Sequence, residues 1–238
     1  MKLLVISDVH ANHHALEAVV AAEGDADRII CAGDLVDYGP FPGEVIDWFM
    51  AHDVLCVSGN HDKAVLDVYR SAHAEPAKRE APPYRWIHYN ANRLEPHQAA
   101  YLAACPETAV FEVDGCWYLL THQFGPAATY GTIQHLHAFD QFIEPHLAGT
   151  DPADRRVIFG HTHRQGIHYL AANRLWLNPG SLSYRRDDDP GRAAEYMTIT
   201  DGNIAMKRLD YDRRPLLAAA RSAPLTDPQR EWALAHWS

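Results

Sequence analysis

Over the first sixty residues, short apolar runs end in glycine, aspartate and histidine, and each is followed by an amphipathic stretch. That order predicts successive strand–helix units feeding a largely parallel sheet. Residues 2–6 read as a buried strand, and 14–23 as a helix with Leu16, Val19 and Val20 on one face at spacings of three and four. A second strand is predicted at 28–32 and a third at 54–57. Between them lies a helix at 42–52, entered through a Gly-Pro-rich turn and carrying Val45, Ile46, Trp48 and Phe49. Each strand ends in a polar motif.

The pattern then loses its period. Residues 71–83, rich in Ala, Glu, Lys and Pro, predict a loop that is either a solvated connector or a lid. Helices follow at 84–93 and 96–104. Strands at 108–113 and 116–121 flank Asp114-Gly115, a hairpin signal. After a helix at 134–147, strands are predicted at 156–159, 167–171, 175–177, 196–200 and 204–208, with turns at residues 172–174 and 201–203. Beyond Pro215 the chain alternates Leu and Ala with Trp232 and Trp237, which suits either a helix docked on the domain or a partner surface. No repeat or boundary divides the chain, so one domain over 1–238 is expected.

Composition narrows the chemistry. A formal charge of −10 disfavours long nucleic acids and anionic membranes, which need clustered Lys and Arg. Cys31, Cys56, Cys105 and Cys116 show no CxxC spacing and read as reduced structural thiols. With no signal-peptide core and no run approaching the ~20 apolar residues of a membrane span, a cytoplasmic protein is expected. Sixteen histidines are many for 238 residues, and histidine is the commonest metal ligand.

Five fragments concentrate that chemistry: Asp8-Val9-His10, Gly33-Asp34, Gly59-Asn60-His61-Asp62, Thr121-His122 and Gly160-His161-Thr162-His163. In an extended strand, residues i and i+2 point the same way, so Asp8 and His10 can share one ion. Asp34 and Asn60-His61 follow the next two strands, and ligands of open α/β sheets gather beyond the carboxyl ends. His161 and His163 repeat the i, i+2 relation, or flank a tight turn. Gly33, Gly59 and Gly160 precede the polar residues, as where backbone must turn sharply or approach an ion. An Asp, Asn and His set without thiolate favours Mn, Fe, Co, Ni or Zn over a structural tetrathiolate zinc.

These fragments resemble the calcineurin-like metallophosphoesterases, whose pattern runs DxH, GDxxD, GNH(D/E), GH or TH, and GHxH, over roughly residues 3–182. The segments Gly33 to Pro40 and Asn178-Pro179-Gly180-Ser181 look like the small prokaryotic phosphodiesterase branch. The resemblance implies a four-layered α/β/β/α sandwich. It implies two divalent transition-metal ions, with manganese expected to support activity in vitro. Asp8, His10, Asp34 and His163 would hold one ion and Asp34, Asn60, His122 and His161 the other. His61 would be the catalytic histidine and Asp37 its orienting carboxylate.

Two such cations ~3.5–4 Å apart can activate a hydroxide for in-line attack on phosphorus while His61 assists the leaving group. The expected activity is phosphodiesterase or phosphatase action on a small organic phosphate, with a nucleotide among the candidates. Alternatives are a dinucleoside polyphosphate or nucleic-acid-end hydrolase and, outside enzymes, a metal-binding scaffold subunit. A homo-oligomer is left open. Relatives acting on phosphoserine and phosphothreonine carry arginine where this chain has Tyr38, so a phosphoprotein substrate is disfavoured. His122 is followed by Gln123-Phe124-Gly125-Pro126 rather than Gly-Ser-Pro, which changes the pocket. Candidate substrate contacts are Asn12, Tyr38 and Arg185, with Arg186 beside the last. Asn12, His13 and His14 serve equally as capping and surface groups. Tyr38, Trp86 and Tyr130 could stack a base or pack the core.

Overall fold

A computed structural model describes residues 1–74, 85–124, 136–150, 154–172 and 174–238. In chain order its elements are β1 (Lys2–Ile6), α1 (His13–Ala22), β2 (Arg28–Cys31), α2 (Pro42–Ala51), β3 (Val54–Cys56), α3 (Asn60–Ala74), α4 (Trp86–Ala91) and α5 (Pro96–Ala104). There follow β4 (Thr108–Val113), β5 (Cys116–Thr121), α6 (Leu136–Leu147), β6 (Arg155–Ile158), β7 (Gly166–Ala171), β8 (Arg174–Asn178), β9 (Ala194–Thr200), β10 (Asn203–Leu209), α7 (Arg214–Ser222) and α8 (Asp227–Trp237).

The strands form two five-stranded sheets, in the orders β10-β9-β1-β2-β3 and β4-β5-β6-β8-β7. In the first, β1, β2 and β3 are parallel while β9 and β10 continue antiparallel from β1. In the second, β5, β6 and β8 are parallel, with antiparallel β4 and β7 at the edges. The register sets Ile6 beside Cys31 and Cys31 beside Cys56, so the first three strands end level and their polar motifs share one edge.

The continuous apolar run of β1 follows from its burial on both faces. Leu3 and Val5 point between the sheets, against Phe111, Leu120, Ile158 and Leu177, whereas Leu4 and Ile6 point outward into α1 and α2. A third cluster packs Phe139, Ile143 and Leu147 of α6 on Leu119, Val157 and Trp176. The layers are therefore helices, sheet, sheet and helix, a four-layered α/β/β/α sandwich. Truncating a fully buried inner residue such as Leu3 to alanine costs about 2–5 kcal/mol.

Several expectations shift. Residues 60–74, to which the hydrophobic pattern assigned no element, form α3, with Val65 and Leu66 packed in the helical layer. The expected loop at 71–83 therefore begins as the last turn of α3, and residues 75–83 lie outside the described residues. The helix expected at 84–93 is shorter, at Trp86–Ala91. In the turn at 172–174, Asn173 lies outside the described residues. The C-terminal segment docks: Leu216, Ala220, Ala233 and Trp237 pack with Trp86 and Tyr89 of α4 in one buried cluster. No helix among the described residues is long and apolar enough to cross a membrane.

Candidate metal centre

The site forms where loops after β1, β2, β3, β5 and β6 meet. Beyond the end of the β1–β2 ladder the two chains stay in register. Asp8 N donates to Gly33 O at 3.0 Å, His10 N to Asp34 O at 2.9 Å and Ala11 N to Leu35 O at 2.8 Å. Asp8 and His10 do not converge by strand alternation, because both lie past the strand with positive φ, 53° and 47°. Asp34, Asp37, His161 and His163 share that left-handed conformation, with φ between 51° and 63°. Non-glycine residues are strained there by about 1–3 kcal/mol each, and such strain concentrates at functional sites. For His161 and His163 the tight-turn alternative is the one adopted, with Thr162 N bonded to Gly160 O.

Close approach requires two of the glycines. A Cβ at Gly59 would lie 2.5 Å from Asp34 N, and one at Gly160 would lie 2.7 Å from Asp8 Oδ2. Asp62, in the first turn of α3, accepts from Leu35 N at 2.9 Å, Val36 N at 3.1 Å and Gly59 N at 2.9 Å, binding the Asp34 loop to the Asn60 loop. Burial and the neighbouring Asp34 charge raise its pKa to about 6.

The donor atoms gather in overlapping groups. Ligand atoms of Asp8, His10 and His163 lie within 4.8 Å of one another, as do those of Asp8, Asp34 and His122 and those of His10, Asp34 and His61. Asp8 Oδ1 is 3.2 Å from His163 Nε2, and Asp34 Oδ2 is 3.2 Å from His122 Nε2. Asn60 Oδ1 stands 3.0 Å from His122 Nε2 and 2.8 Å from His161 Nδ1. All seven expected ligands thus meet in one buried cluster, apart from Asn60, which is part-exposed.

The imidazoles are also oriented. His122 Nδ1 donates to Ala32 O at 2.7 Å, His163 Nδ1 to Tyr184 O at 3.0 Å, and His10 Nδ1 to Asp37 O. A carbonyl can only accept, so these bonds place a proton on Nδ1 and, in the neutral ring, leave Nε2 with its lone pair turned inward. Such backbone bonds behind the ring are characteristic of metal-ligating histidine. His10 Nε2 and His163 Nε2 then face one another at 3.0 Å, an arrangement of two lone pairs that a cation between them resolves. With its carboxylate, amide and imidazole donors, the cluster fits divalent first-row metal ions.

Electrostatics follow from burial and crowding. Burial, with His163 close by, pushes His10 well below its ordinary pKa. Burial likewise lowers His163, and lowers His161 to about 4 with the help of His122. Burial works against a charged His122 too, but Asp34 outweighs it and raises that imidazole to about 10. His61 stands apart from this trend. Its Nδ1 lies 2.8 Å from Asp37 Oδ2, and Asp34 and Asp37 overcome burial to raise it to about 9. Burial raises Asp37 as well.

The expected substrate contacts divide. The Tyr38 ring sits 5.0 Å from the His61 ring and 6.0 Å from that of His10, inside the site. Asn12 does not face it: it is buried, caps α1 by accepting from Ala15 N, and donates to Tyr211 Oη at 2.7 Å. Arg185 borders the cavity but is held by its own loop. Only 3% exposed, it donates to Ser181 O at 2.7 Å and to Ala193 O, with Glu195 at 3.4 Å, so its guanidinium is spent on the loop after β8. Arg186 also lines the cavity, bonded to Thr162 O and His161 O. Trp86 is fully buried in the C-terminal cluster, and Tyr130 lies outside the described residues. His13 and His14 lie beside Glu17 on the α1 surface. Phe124 anchors its segment against Phe142 and Trp176. Gly125-Pro126 lie outside the described residues.

Residues outside the five fragments complete the site. Asn178 donates to Gly160 O and Thr162 Oγ1, and Ser181 Oγ donates to Asp8 O at 3.0 Å. Asn90 of α4 accepts from Asp37 N at 3.0 Å. Trp232 and His236 of α8 join Tyr38, Tyr184 and Arg186 around a cavity of about 510 Å³. The Asn-Pro-Gly-Ser segment carried a sequence signal for the first pair. The sequence marks Trp232 only as part of a docked helix or partner surface, with no link to the site.

A model of the calcineurin-like phosphoesterase superfamily domain matches residues 1–201. An uncharacterised protein of Methanocaldococcus jannaschii is 41% identical over 226 residues, 88% of each chain. Among solved structures, a metallophosphoesterase from Sphaerobacter thermophilus is 25% identical and superposes with a TM-score of 0.71 over 100% of both chains. A hypothetical protein of Pyrococcus horikoshii, 14% identical, has the same fold at a TM-score of 0.73, covering 100% of this chain and 98% of its own.

Proposed function

Because the chain belongs to the calcineurin-like phosphoesterase superfamily, we propose that it hydrolyses a small organic phosphate ester at a pair of divalent cations. Asp8, His10, Asp34 and His163 hold one cation on this reading, and Asp34, Asn60, His122 and His161 the other, with Asp34 shared. The observation carrying it is the 3.0 Å approach of His10 Nε2 to His163 Nε2, two inward lone pairs set beside the Asp8 carboxylate. The bound ions would supply Lewis acidity to the phosphoryl oxygens and to the attacking water.

The protein's own groups supply the rest. With Nδ1 committed to Asp37, His61 has Nε2 to offer a departing alkoxide. The Asp37 carboxylate at Nδ1 favours the protonated ring, the state a general acid requires. Asp37 holds the ring's orientation and stabilises its charge, while Asn90 fixes the Asp37 backbone. Tyr38 cannot grip phosphate as arginine does, which favours a small substrate over a phosphoprotein.

The test is metal analysis together with hydrolysis of bis-p-nitrophenyl phosphate in added manganese. Two metal equivalents and turnover are expected. Two bound metals with no turnover of this or a phosphomonoester would instead favour a metal-binding scaffold.

A further inference from the structure

We infer that the aromatic cavity beside the candidate metal centre is a nucleobase subsite completed by Trp232 of the C-terminal helix, so that the substrate is a nucleotide phosphoester. The inference rests on the proposed hydrolysis for the position of the phosphoryl group, but its evidence is separate.

The cavity of about 510 Å³ falls in the range of small-molecule sites, and its lining residues Tyr38, Thr162 and Tyr184 border the histidine cluster. The Tyr184 ring lies 4.4 Å from that of His163 and 4.9 Å from that of His10, while Tyr38 lies 5.0 Å from His61. Trp232 continues this wall, 4.4 Å from Tyr38 and 5.0 Å from Tyr184, with the His236 ring stacked on it at 4.1 Å. Four rings thus run outward from the place where phosphate would bind. Ala233 and Trp237 on the same helix are fully buried in the C-terminal cluster, whereas Trp232 packs at the edge of that cluster, is only partly buried and lines the cavity.

The wall is preformed. Trp237 Nε1 donates to Ser183 Oγ at 3.2 Å, His236 Nε2 lies 3.0 Å from Asp187 Oδ1, and Arg192 donates to Ser238 O and Ala235 O. The helix is therefore held at its end, and little ordering remains to oppose binding. The cavity lining also includes Arg164 and Asp188, an exposed ion pair at 2.7 Å that presents donors and an acceptor together. A bare phenyl ring has no use for these, whereas a base edge carries both kinds of group. Base–aromatic stacking is also tolerant of which base is present.

Binding separates this inference from hydrolysis. Titration of the metal-loaded protein with AMP, GMP, CMP and UMP is compared by calorimetry with ribose 5-phosphate and phenyl phosphate, in conditions where no turnover is detected. At least one nucleotide is expected to bind about tenfold or more tighter than either reference ligand. In Trp232→Leu that ratio should collapse to within about threefold, and Trp232→Phe, which keeps a π-face, should restore most of it. Circular dichroism checks that both variants fold. Equal binding of nucleotide and ribose 5-phosphate, phenyl phosphate binding as tightly as the best nucleotide, or an undiminished ratio in a folded Trp232→Leu protein would each overturn the assignment. A protein that binds nucleotides in this way yet hydrolyses no ester would sink the proposed function and leave the subsite standing.

Discussion

Asp37 Oδ2 and His61 Nδ1 meet at 2.8 Å, joining the loop after β2 to the first turn of α3. Burial raises the carboxyl, and the two carboxylates Asp34 and Asp37 raise the imidazole to about 9 against its own burial. The proton of the pair therefore rests on the ring at neutral pH, beside a cluster whose other imidazoles are, except for His122, pushed toward neutrality.

His61→Ala should keep its metal and lose about 10²–10³-fold in kcat toward alkyl phosphate esters, whose leaving groups need a proton, while p-nitrophenyl esters lose tenfold or less. Activity that requires protonated His61 declines as pH rises through its pKa. Asp37→Asn, by removing a charge that raises that pKa, should move the alkaline limb for alkyl esters to lower pH. Equal losses for both ester classes, measured by steady-state kinetics at fixed metal content, would remove His61 from leaving-group protonation.

Much of this site was legible because its ligands follow strands whose apolar runs are easy to see. Asp8, Asp34, Asn60, His122 and His161 each stand within a few residues of a strand end, and a level parallel register brings such ends together. Other features were hidden for physical reasons. The left-handed conformations of Asp8 and His10 have no local signature, so strand alternation predicted the right neighbours by the wrong geometry. Arg185 and Arg186 are adjacent and chemically alike, and only the buried carbonyls of Ser181 and Ala193 decide which is consumed by the loop. Trp232 reaches the cavity through tertiary docking of α8, 194 residues from Tyr38 and 171 from His61 in sequence, a distance over which periodicity says nothing.

Metal removal should be visible as lost stability. A ligand present at about 100-fold over its Kd stabilises the folded state by roughly 2.7 kcal/mol, which for a chain of this size is about 5–10 °C in Tm. EDTA should lower Tm by that amount in the native protein. Asp34→Asn, which removes the charge shared between the two proposed sites, should start from a lower metal content and respond to EDTA by less than about 2 °C. Calorimetry with matched metal analysis checks both, and an Asp34→Asn protein that retains two tightly held metals would refute the shared role.

Asp62 is expected to matter through backbone rather than chemistry. Replacing it with alanine leaves Leu35 N, Val36 N and Gly59 N without their buried acceptor. Each orphaned donor costs about 1–3 kcal/mol before relaxation, so a loss of roughly 3 kcal/mol in urea unfolding is expected. Metal affinity should fall with it, since Asp34 and Asn60 sit on the two loops that Asp62 ties together. A variant that lost metal at unchanged stability would show Asp62 acting on the ions directly.

Acid sensitivity should arise in part far from the site, at Glu23. This residue follows α1 and is 5% exposed; burial favours its neutral form, but bonds from Lys2 at 2.8 Å, Lys207 at 2.7 Å and Tyr196 at 2.8 Å prevail and lower its pKa to about 2. A carboxylate lowered on folding contributes stability that is complete above its unfolded pKa, near 4.5, and drains away as pH falls toward the folded value. Between pH 5 and pH 3 the native protein should therefore lose stability more steeply than Glu23→Gln, by about 2 kcal/mol across that window. At pH 7 the variant should be the less stable of the two by a similar amount, because two lysines are left facing a neutral amide. Urea unfolding in EDTA keeps metal release out of the comparison, and parallel stability curves for the two proteins would show that Glu23 contributes nothing to the acid transition.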